Sequence, residues 1–261
     1  MQLIETEDNV GFLAASYVKN KINTFVPTAE KPFFVLALPT GGTSIDLYKN
    51  LVRFNQENVL SFERVVTFNL DEYVGLPIMH PQSYHSFMFN NFFKHIKINE
   101  SQINILNGNA ANLEKECLAY EKKIKQYGGI DLFLGGVGQN GHIAFNEPGS
   151  AFDSKTRVIE LTKNTIAANS RFFGGDISLV PTRALTVGLG TIMEAKEVVI
   201  MATGPQKSQA LYHAFEDKIN TSWPITVLQK HQRAFVVADK SAAAEISSGI
   251  KRTCGTCSFL K

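Results

Sequence analysis

Continuous apolar runs recur along the chain, separated by longer stretches in which apolar and polar positions follow a helical period. The runs at 33–38, 64–70, 102–106, 131–134, 157–161, 185–189, 197–202 and 234–238 read as strands. Being continuous rather than alternating, they suit strands covered on both faces. Between them, 10–25, 44–54, 82–93, 113–127, 164–173, 205–215 and 242–248 read as amphipathic helices. This order of strand and helix specifies an α/β class: one doubly wound, mostly parallel, Rossmann-like sheet with right-handed crossovers and helices on both faces. All eight runs are expected to join one extended sheet. No repeat, low-complexity tract or Pro/Gly/Ser-rich linker divides the chain, so 1–247 read as a single domain and 248–261 as a frayed C-terminal tail.

Open α/β sheets bind ligands beyond the carboxyl ends of their strands, so the segments that follow each strand carry the candidate chemistry. After the first run comes Pro39-Thr40-Gly41-Gly42-Thr43-Ser44 and then a helical pattern. Two glycines free backbone N–H groups, Thr40, Thr43 and Ser44 add hydroxyls, and the helix start adds positive potential: a cradle for phosphate, or an ordinary capped turn. It is not a Walker loop, because no Gly-Lys-Ser/Thr follows. The second run ends in Asn69-Leu70-Asp71-Glu72-Tyr73, which sets two carboxylates at the sheet edge. Either Asp71 or Glu72 could serve as a base with its pKa lifted by apolar walls and by its neighbour; the sequence does not choose between them, and a solvated acidic loop is the plain alternative.

The densest segment is Gly135-Gly136-Val137-Gly138-Gln139-Asn140-Gly141-His142-Ile143-Ala144-Phe145-Asn146-Glu147-Pro148. It contains G-x-G-x-x-G, yet Pro148, Gly149 and the lack of amphipathic period argue against the helix a dinucleotide loop must open. What remains is an amide, an imidazole and a carboxylate within eight residues, an acid/base constellation built on Asn140, His142 and Glu147. With no second histidine nearby, metal ligation is the weaker reading. Lys207 falls in the first turn of a helix opened by Gly204-Pro205, where the macrodipole disfavours a cation unless an anion binds there. Arg171, beside Gly174-Gly175, suits a fork-shaped phosphate clamp or a solvated helix end.

Composition narrows the classes. With 261 residues, 44% of them apolar and 19% charged, the chain is globular rather than disordered or fibrous. Lys and Arg number 26 against 24 Asp and Glu, and no basic stripe forms, so no nucleic-acid partner is expected. The acidic start lacks an apolar leader, and no run approaches the roughly 20 apolar residues of a membrane span. Three cysteines, Cys117, Cys254 and Cys257, are too few for a disulfide framework, so a reducing, cytoplasmic setting is expected. The lone Cys254-x-x-Cys257 lacks the second pair of a structural zinc site.

Taken together, Leu38-Pro39-Thr40-Gly41-Gly42-Thr43, Phe68-Asn69-Leu70-Asp71-Glu72-Tyr73, Gly138-Gln139-Asn140-Gly141-His142-Ile143-Ala144-Phe145-Asn146-Glu147-Pro148 and Ser170-Arg171-Phe172-Phe173 resemble the glucosamine-6-phosphate deaminase family, in its order. Pro81-Gln82-Ser83-Tyr84 and Ala184-Leu185-Thr186-Val187-Gly188 extend the likeness, which runs from about residue 3 to 239. The resemblance implies conversion of glucosamine 6-phosphate to fructose 6-phosphate and ammonia with no cofactor and no metal. Position by position, Asp71 matches the base that moves the C2 proton, His142 the group that takes the O1 proton in ring opening, and Asn140 and Glu147 its partners. Gly41, Gly42, Thr43, Arg171 and Lys207 match phosphate-binding positions, with Thr40 and Glu72 beside the substrate. The implied partner is a small sugar phosphate, and a homo-oligomer is compatible with the family.

Two departures stand out. Asn140 replaces the aspartate of several relatives, and Ile159 and Glu160 replace a Lys and Thr that accompany activation by N-acetylglucosamine 6-phosphate in some members. Glu160 would repel a phosphate, and the tail also differs, so no strong activation is expected. The rival readings are a 6-phosphogluconolactonase-like hydrolase and a non-catalytic sugar-phosphate sensor; the stretch Asp71-Glu72-Tyr73 and the run from His142 to Pro148 favour the deaminase.

Overall fold

A computed structural model describes residues 1–7, 9–250 and 252–254. In chain order the strands and helices are β1 (Gln2–Thr6), α1 (Val10–Thr24), β2 (Phe34–Leu38), α2 (Ile45–Gln56), β3 (Val65–Asn69), β4 (Asp71–Tyr73), α3 (Tyr84–Asn91), β5 (Ile103–Asn104) and α4 (Leu113–Gln126). There follow β6 (Leu132–Gly136), β7 (Arg157–Glu160), α5 (Lys163–Asn169), β8 (Arg183–Thr186), α6 (Leu189–Met193), β9 (Glu197–Ala202), α7 (Ser208–Glu216), β10 (Ala234–Asp239) and β11 (Arg252–Cys254).

The central sheet has eight strands in the order β11-β1-β10-β9-β6-β2-β3-β5, every pair parallel. The apolar continuity of its central strands follows from two cores. Phe34, Leu36 and Leu38 of β2 pack with Leu13 of α1, Leu47 of α2 and Met88 of α3. Val35 and Ala37, on the opposite face, pack with Ile124 of α4, Ile192 of α6 and Leu211 of α7. A strand covered twice has no wet face, so it cannot alternate. At the amino ends, Asp131 accepts the backbone N–H of Val35 at 2.9 Å and pairs with Lys31 and Lys196 at 2.8 and 2.9 Å.

The expectation of one extended sheet is corrected. β7 and β8 leave the central sheet and join β4 in a separate antiparallel sheet ordered β4-β8-β7. Their burial gives the reason: β7 is half-exposed along its length and β8 begins on the exposed Arg183, which an antiparallel sheet with one wet face tolerates and a doubly covered one does not. This sheet carries its own small core of Tyr73, Phe145, Leu161, Phe173, Val180 and Ala184.

Other differences are local. β1 and β11 carry no continuous apolar run: QLIET of β1, next to the edge, mixes polar and apolar residues, and β11 at the edge is only three residues long. The run at 185–189 divides into the end of β8 and the start of the short α6. The segment 242–248 is not a helix: turns run from 240 to 245, with the N–H of Ala242 held by the Asp239 carboxylate. Alanines gave it a helical look that the side-chain bond overrides. Cys254 ends β11, which pairs with β1, while Cys257 lies outside the described residues.

Candidate active site

From β2 the chain moves outward to β3 and β5, then returns through α4 to β6 on the other side of β2 before reaching β9. That reversal opens a crevice at the carboxyl ends of β2 and β6, where neighbouring crossovers diverge. A cavity of about 500 Å³ lies there, walled by the turn after β2, by β4, by the loop after β6, by α5 and the turn that follows it, and by Lys207.

Two matching turns flank the β6 loop. Gly41 has φ 93° and precedes a 3-10 turn, Gly42–Ser44, that opens α2. Gly204 has φ 85° and precedes the 3-10 turn Pro205–Lys207 that opens α7. Both need glycine because a side chain rarely adopts that φ. Nothing lies within 4 Å of where a Cβ on Gly41 or Gly42 would sit, so their backbone faces open space, and Thr40 and Thr43 line the same wall. Lys207 and Arg171 converge on the cavity, and burial together with the Arg171 charge lowers the Lys207 pKa. The Arg171 guanidinium rests over the Phe172 ring at 4.6 Å. Two cations held together, Lys207 in the turn that opens α7 and Arg171 in the turn that follows α5, are relieved by an anion carrying two charges.

The adjacent carboxylates separate. Glu72 accepts backbone N–H groups of Tyr73, Tyr84 and His85 at 2.8–2.9 Å, and so caps α3 rather than lining the cavity. Asp71 lines the cavity, is 7% exposed, and its buried Oδ1 has no hydrogen-bond partner. Burial, with the charge of Glu72, pushes its pKa up to about 8. The expectation that Glu72 lies beside a substrate is therefore replaced by a support role: alternation along β4 sends its side chain away from Asp71.

The loop after β6 holds no helix, against a dinucleotide reading. Its glycines serve the imidazole instead. A Cβ on Gly138 would come within 2.1 Å of the His142 ring, and one on Gly141, at φ +79°, within 2.9 Å of Trp223. Asn140 bridges the constellation: its Oδ1 lies 2.7 Å from His142 Nδ1 and 3.3 Å from the His142 backbone N–H, while its Nδ2 donates to Glu147 Oε2 at 2.7 Å. An amide oxygen between two ring and backbone nitrogens fixes the amide orientation and places the proton on Nδ1, leaving Nε2 as the ring's basic atom. Burial lowers the His142 pKa, Glu147 raises it, and Lys207 lowers it.

The cavity brings together Thr40, Gly41, Gly42, Thr43, Asp71, Asn140, His142, Arg171 and Lys207, with Glu147 standing behind His142 and Glu72 turned away. Sequence reasoning missed Tyr84 and Phe145, which line the cavity, and Thr165, whose hydroxyl donates to Glu147 Oε1 at 2.5 Å. Tyr84 sat in a recognised motif and could have been found there; a threonine in a helix carries no signal. Among the described residues no group of three or more His, Cys, Asp or Glu side chains is placed to hold a metal ion, and no helix is long and apolar enough to cross a membrane.

A family model described as glucosamine-6-phosphate isomerases/6-phosphogluconolactonase matches residues 5–237. The chain belongs to this family. The glucosamine-6-phosphate deaminase of Borreliella burgdorferi strain ZS7 is 55% identical over 244 residues, covering 94% of this chain and 91% of that one. That of Fusobacterium nucleatum is 57% identical over 232 residues, covering 89% and 84%. Among solved structures of the glucosamine-6-phosphate isomerase/6-phosphogluconolactonase fold, a monomeric glucosamine-6-phosphate deaminase superposes with TM-score 0.86 at 39% identity, covering 94% of this chain and 100% of the other. The 6-phosphogluconolactonase from Trypanosoma cruzi superposes with TM-score 0.73 at 21% identity, covering 94% and 97%, a likeness of fold alone.

Proposed function

We propose that the protein is a glucosamine-6-phosphate deaminase, which converts glucosamine 6-phosphate and water to fructose 6-phosphate and ammonia. The observation that carries this reading is Asp71: a buried carboxylate with an unpartnered oxygen in the same cavity as an imidazole whose pKa burial lowers. Lactone hydrolysis has no use for a base of that strength, whereas a carbon acid does. The 53–57% identity to proteins of that name supports it.

The phosphate is a remote handle, held by the N–H groups of Gly41 and Gly42, the Thr43 hydroxyl, Arg171 and Lys207, and it places the sugar chain against the reacting groups. His142 Nε2 takes the O1 proton, the C1–ring-oxygen bond breaks to give the aldehyde, and the ring oxygen takes that proton back from the imidazolium to leave as the C5 hydroxyl. Asp71 then takes the proton from C2, the C2–H electrons form the enol C1–C2 bond, and the aldehyde oxygen gains the proton that the C2 ammonium gives up, leaving an enamine. Reprotonation at C1 gives a C2 iminium, which adds water and expels ammonia to leave the ketone. Asn140 and Glu147 keep the proton on Nδ1 and stabilise the imidazolium that forms. Burial and the charge of Glu72 keep a proton on Asp71 up to about pH 8. The substrate's own C2 ammonium, arriving beside it, favours the carboxylate and readies the base.

Ammonia and fructose 6-phosphate should appear in equal amounts from glucosamine 6-phosphate without added metal or nucleotide, and Asp71→Asn should abolish both. Tight substrate binding by the wild-type protein without turnover would replace this reading with a sugar-phosphate sensor.

A further inference from the structure

Glu147 has two hydrogen-bond donors from two different elements. Asn140, on its own loop, holds Oε2 at 2.7 Å. Thr165 holds Oε1 at 2.5 Å from α5, the seven-residue helix that walls the far side of the cavity. The hydroxyl is itself aligned: Thr162, the N-cap of α5, accepts the Thr165 backbone N–H at 3.2 Å and donates its own hydroxyl proton to Thr165 Oγ1 at 3.0 Å. With that acceptor position filled by Thr162, the only proton Thr165 can give points to Glu147. A chain of bonds thus runs from the helix cap through Thr165 and Glu147 to Asn140 and the imidazole, each bond polarising the next.

The geometry around His142 shows what this chain does. Glu147 Oε1 lies 3.6 Å from His142 Nδ1, while Asn140 Oδ1 lies at 2.7 Å. The carboxylate is near enough that a small shift would pair it directly with the ring, and it is the Thr165 hydroxyl that holds the nearer oxygen in its present place. A direct pair would stabilise the imidazolium and remove the basic Nε2 at neutral pH. The other charges facing the ring do not oppose this: Lys207, on the turn before α7, lowers its proton affinity, Arg171 stands behind Lys207, and Asp71 on β4 lines the same cavity.

We infer that Thr165 is a positioning residue: by binding Glu147 Oε1 it keeps the carboxylate off His142 Nδ1, so that Asn140 Oδ1 accepts the ring N–H and His142 stays a neutral base. The inference rests on the reading of His142 as the base of ring opening. The direction of the effect follows from where the Thr165 bond holds Oε1, 3.6 Å from Nδ1 and beyond hydrogen-bond reach of the ring.

The test uses Thr165→Val, which keeps the shape and loses the hydroxyl, and Thr165→Ser, which keeps the hydroxyl. Because Thr165 is half-buried on a short helix with no buried residue, neither change threatens the fold. The His142 ring is titrated by ¹⁵N NMR in the free protein, its signal assigned by its loss in His142→Gln, and kcat/KM for ammonia release is followed against pH. Thr165→Val should raise the His142 pKa by about one unit and move the acidic limb of kcat/KM up with it, and Thr165→Ser should match the wild type in both. A Thr165→Val titration that overlays the wild type overturns the inference, as does a Thr165→Ser protein that behaves like Thr165→Val. A wild type that releases no ammonia while Thr165→Val still titrates higher would remove the proposed activity and leave the role of Thr165 in place.

Discussion

Asp71 and Glu72 are neighbours in sequence and point to opposite sides of the small antiparallel sheet. Glu72 spends both oxygens on three backbone N–H groups, two of them at the start of α3, while Asp71 leaves a buried oxygen without a partner in the cavity. One carboxylate is satisfied so that the other need not be. The charge of the first also keeps the second protonated to a higher pH, which links the helix cap to the acid strength of the proposed base.

Asp71→Asn should trade activity for stability. The folded-state pKa is raised from the usual 3.8 to about 8, so the unfolded chain releases its proton first as pH rises. The folded state therefore loses stability progressively between about pH 4 and pH 8. The amide escapes that loss. Melting temperature should rise by several degrees over wild type at pH 8 and differ little at pH 4, on a scale of roughly 2–4 °C per kcal/mol, while turnover falls by about 10²–10⁴-fold. A melting difference that is the same at both pH values would contradict the raised pKa.

Glu72→Ala should lower melting temperature, since three N–H groups lose their acceptor at a cost of about 1–3 kcal/mol. It should also lower the Asp71 pKa by removing the neighbouring charge, shifting the acidic limb of kcat downward. Differential scanning calorimetry and a pH profile of the same variant read the two effects separately.

Gly138→Ala places a methyl where the His142 ring lies, with 2.1 Å between Cβ and the nearest ring atom. The imidazole must move, and a displacement of about 1 Å costs on the order of 10²-fold in rate. Gly42→Ala, whose Cβ meets open space, should leave kcat closer to wild type and act on KM through the phosphate. Steady-state kinetics of the pair would fail this prediction if both changed kcat alike.

Asn140→Asp should raise the His142 pKa, because a carboxylate in place of the amide oxygen 2.7 Å from Nδ1 favours the imidazolium. Ring opening should slow at neutral pH and recover as pH rises. Superimposable pH–rate curves for the variant and the wild type would overturn the role given to Asn140.

N-acetylglucosamine 6-phosphate should not activate strongly. Glu160, exposed at the end of β7, repels a phosphate there, and Arg157 already donates to Asn146 Oδ1 at 2.9 Å. Saturation curves for glucosamine 6-phosphate with and without that compound should coincide; a several-fold fall in KM would refute this.

The central strands, and most of the residues that line the candidate site, are legible in the chain. Apolar continuity at 197–202 and 33–38 follows from two-sided burial, which leaves the same mark wherever it occurs. The cradle at Gly41-Gly42, and the cluster Asn140, His142 and Glu147, lie on short stretches whose residue types already state their chemistry. β7 and β8 misled because a short apolar run looks the same in a parallel sheet and in an antiparallel one. The difference lies in what covers the second face.

What the sequence determined by itself is the α/β class, the carboxyl-edge loops and the residues able to handle phosphate and protons, because each of these is set by composition and spacing within a few neighbouring positions. Only the tertiary structure decided that Asp71 faces the cavity while Glu72 caps α3, that Gly138 makes room for an imidazole, and that Thr165 reaches Glu147 from eighteen residues away. These depend on which distant elements the fold brings alongside, and a hydrogen bond, a collision or a lost water shell exists only once both partners are in place.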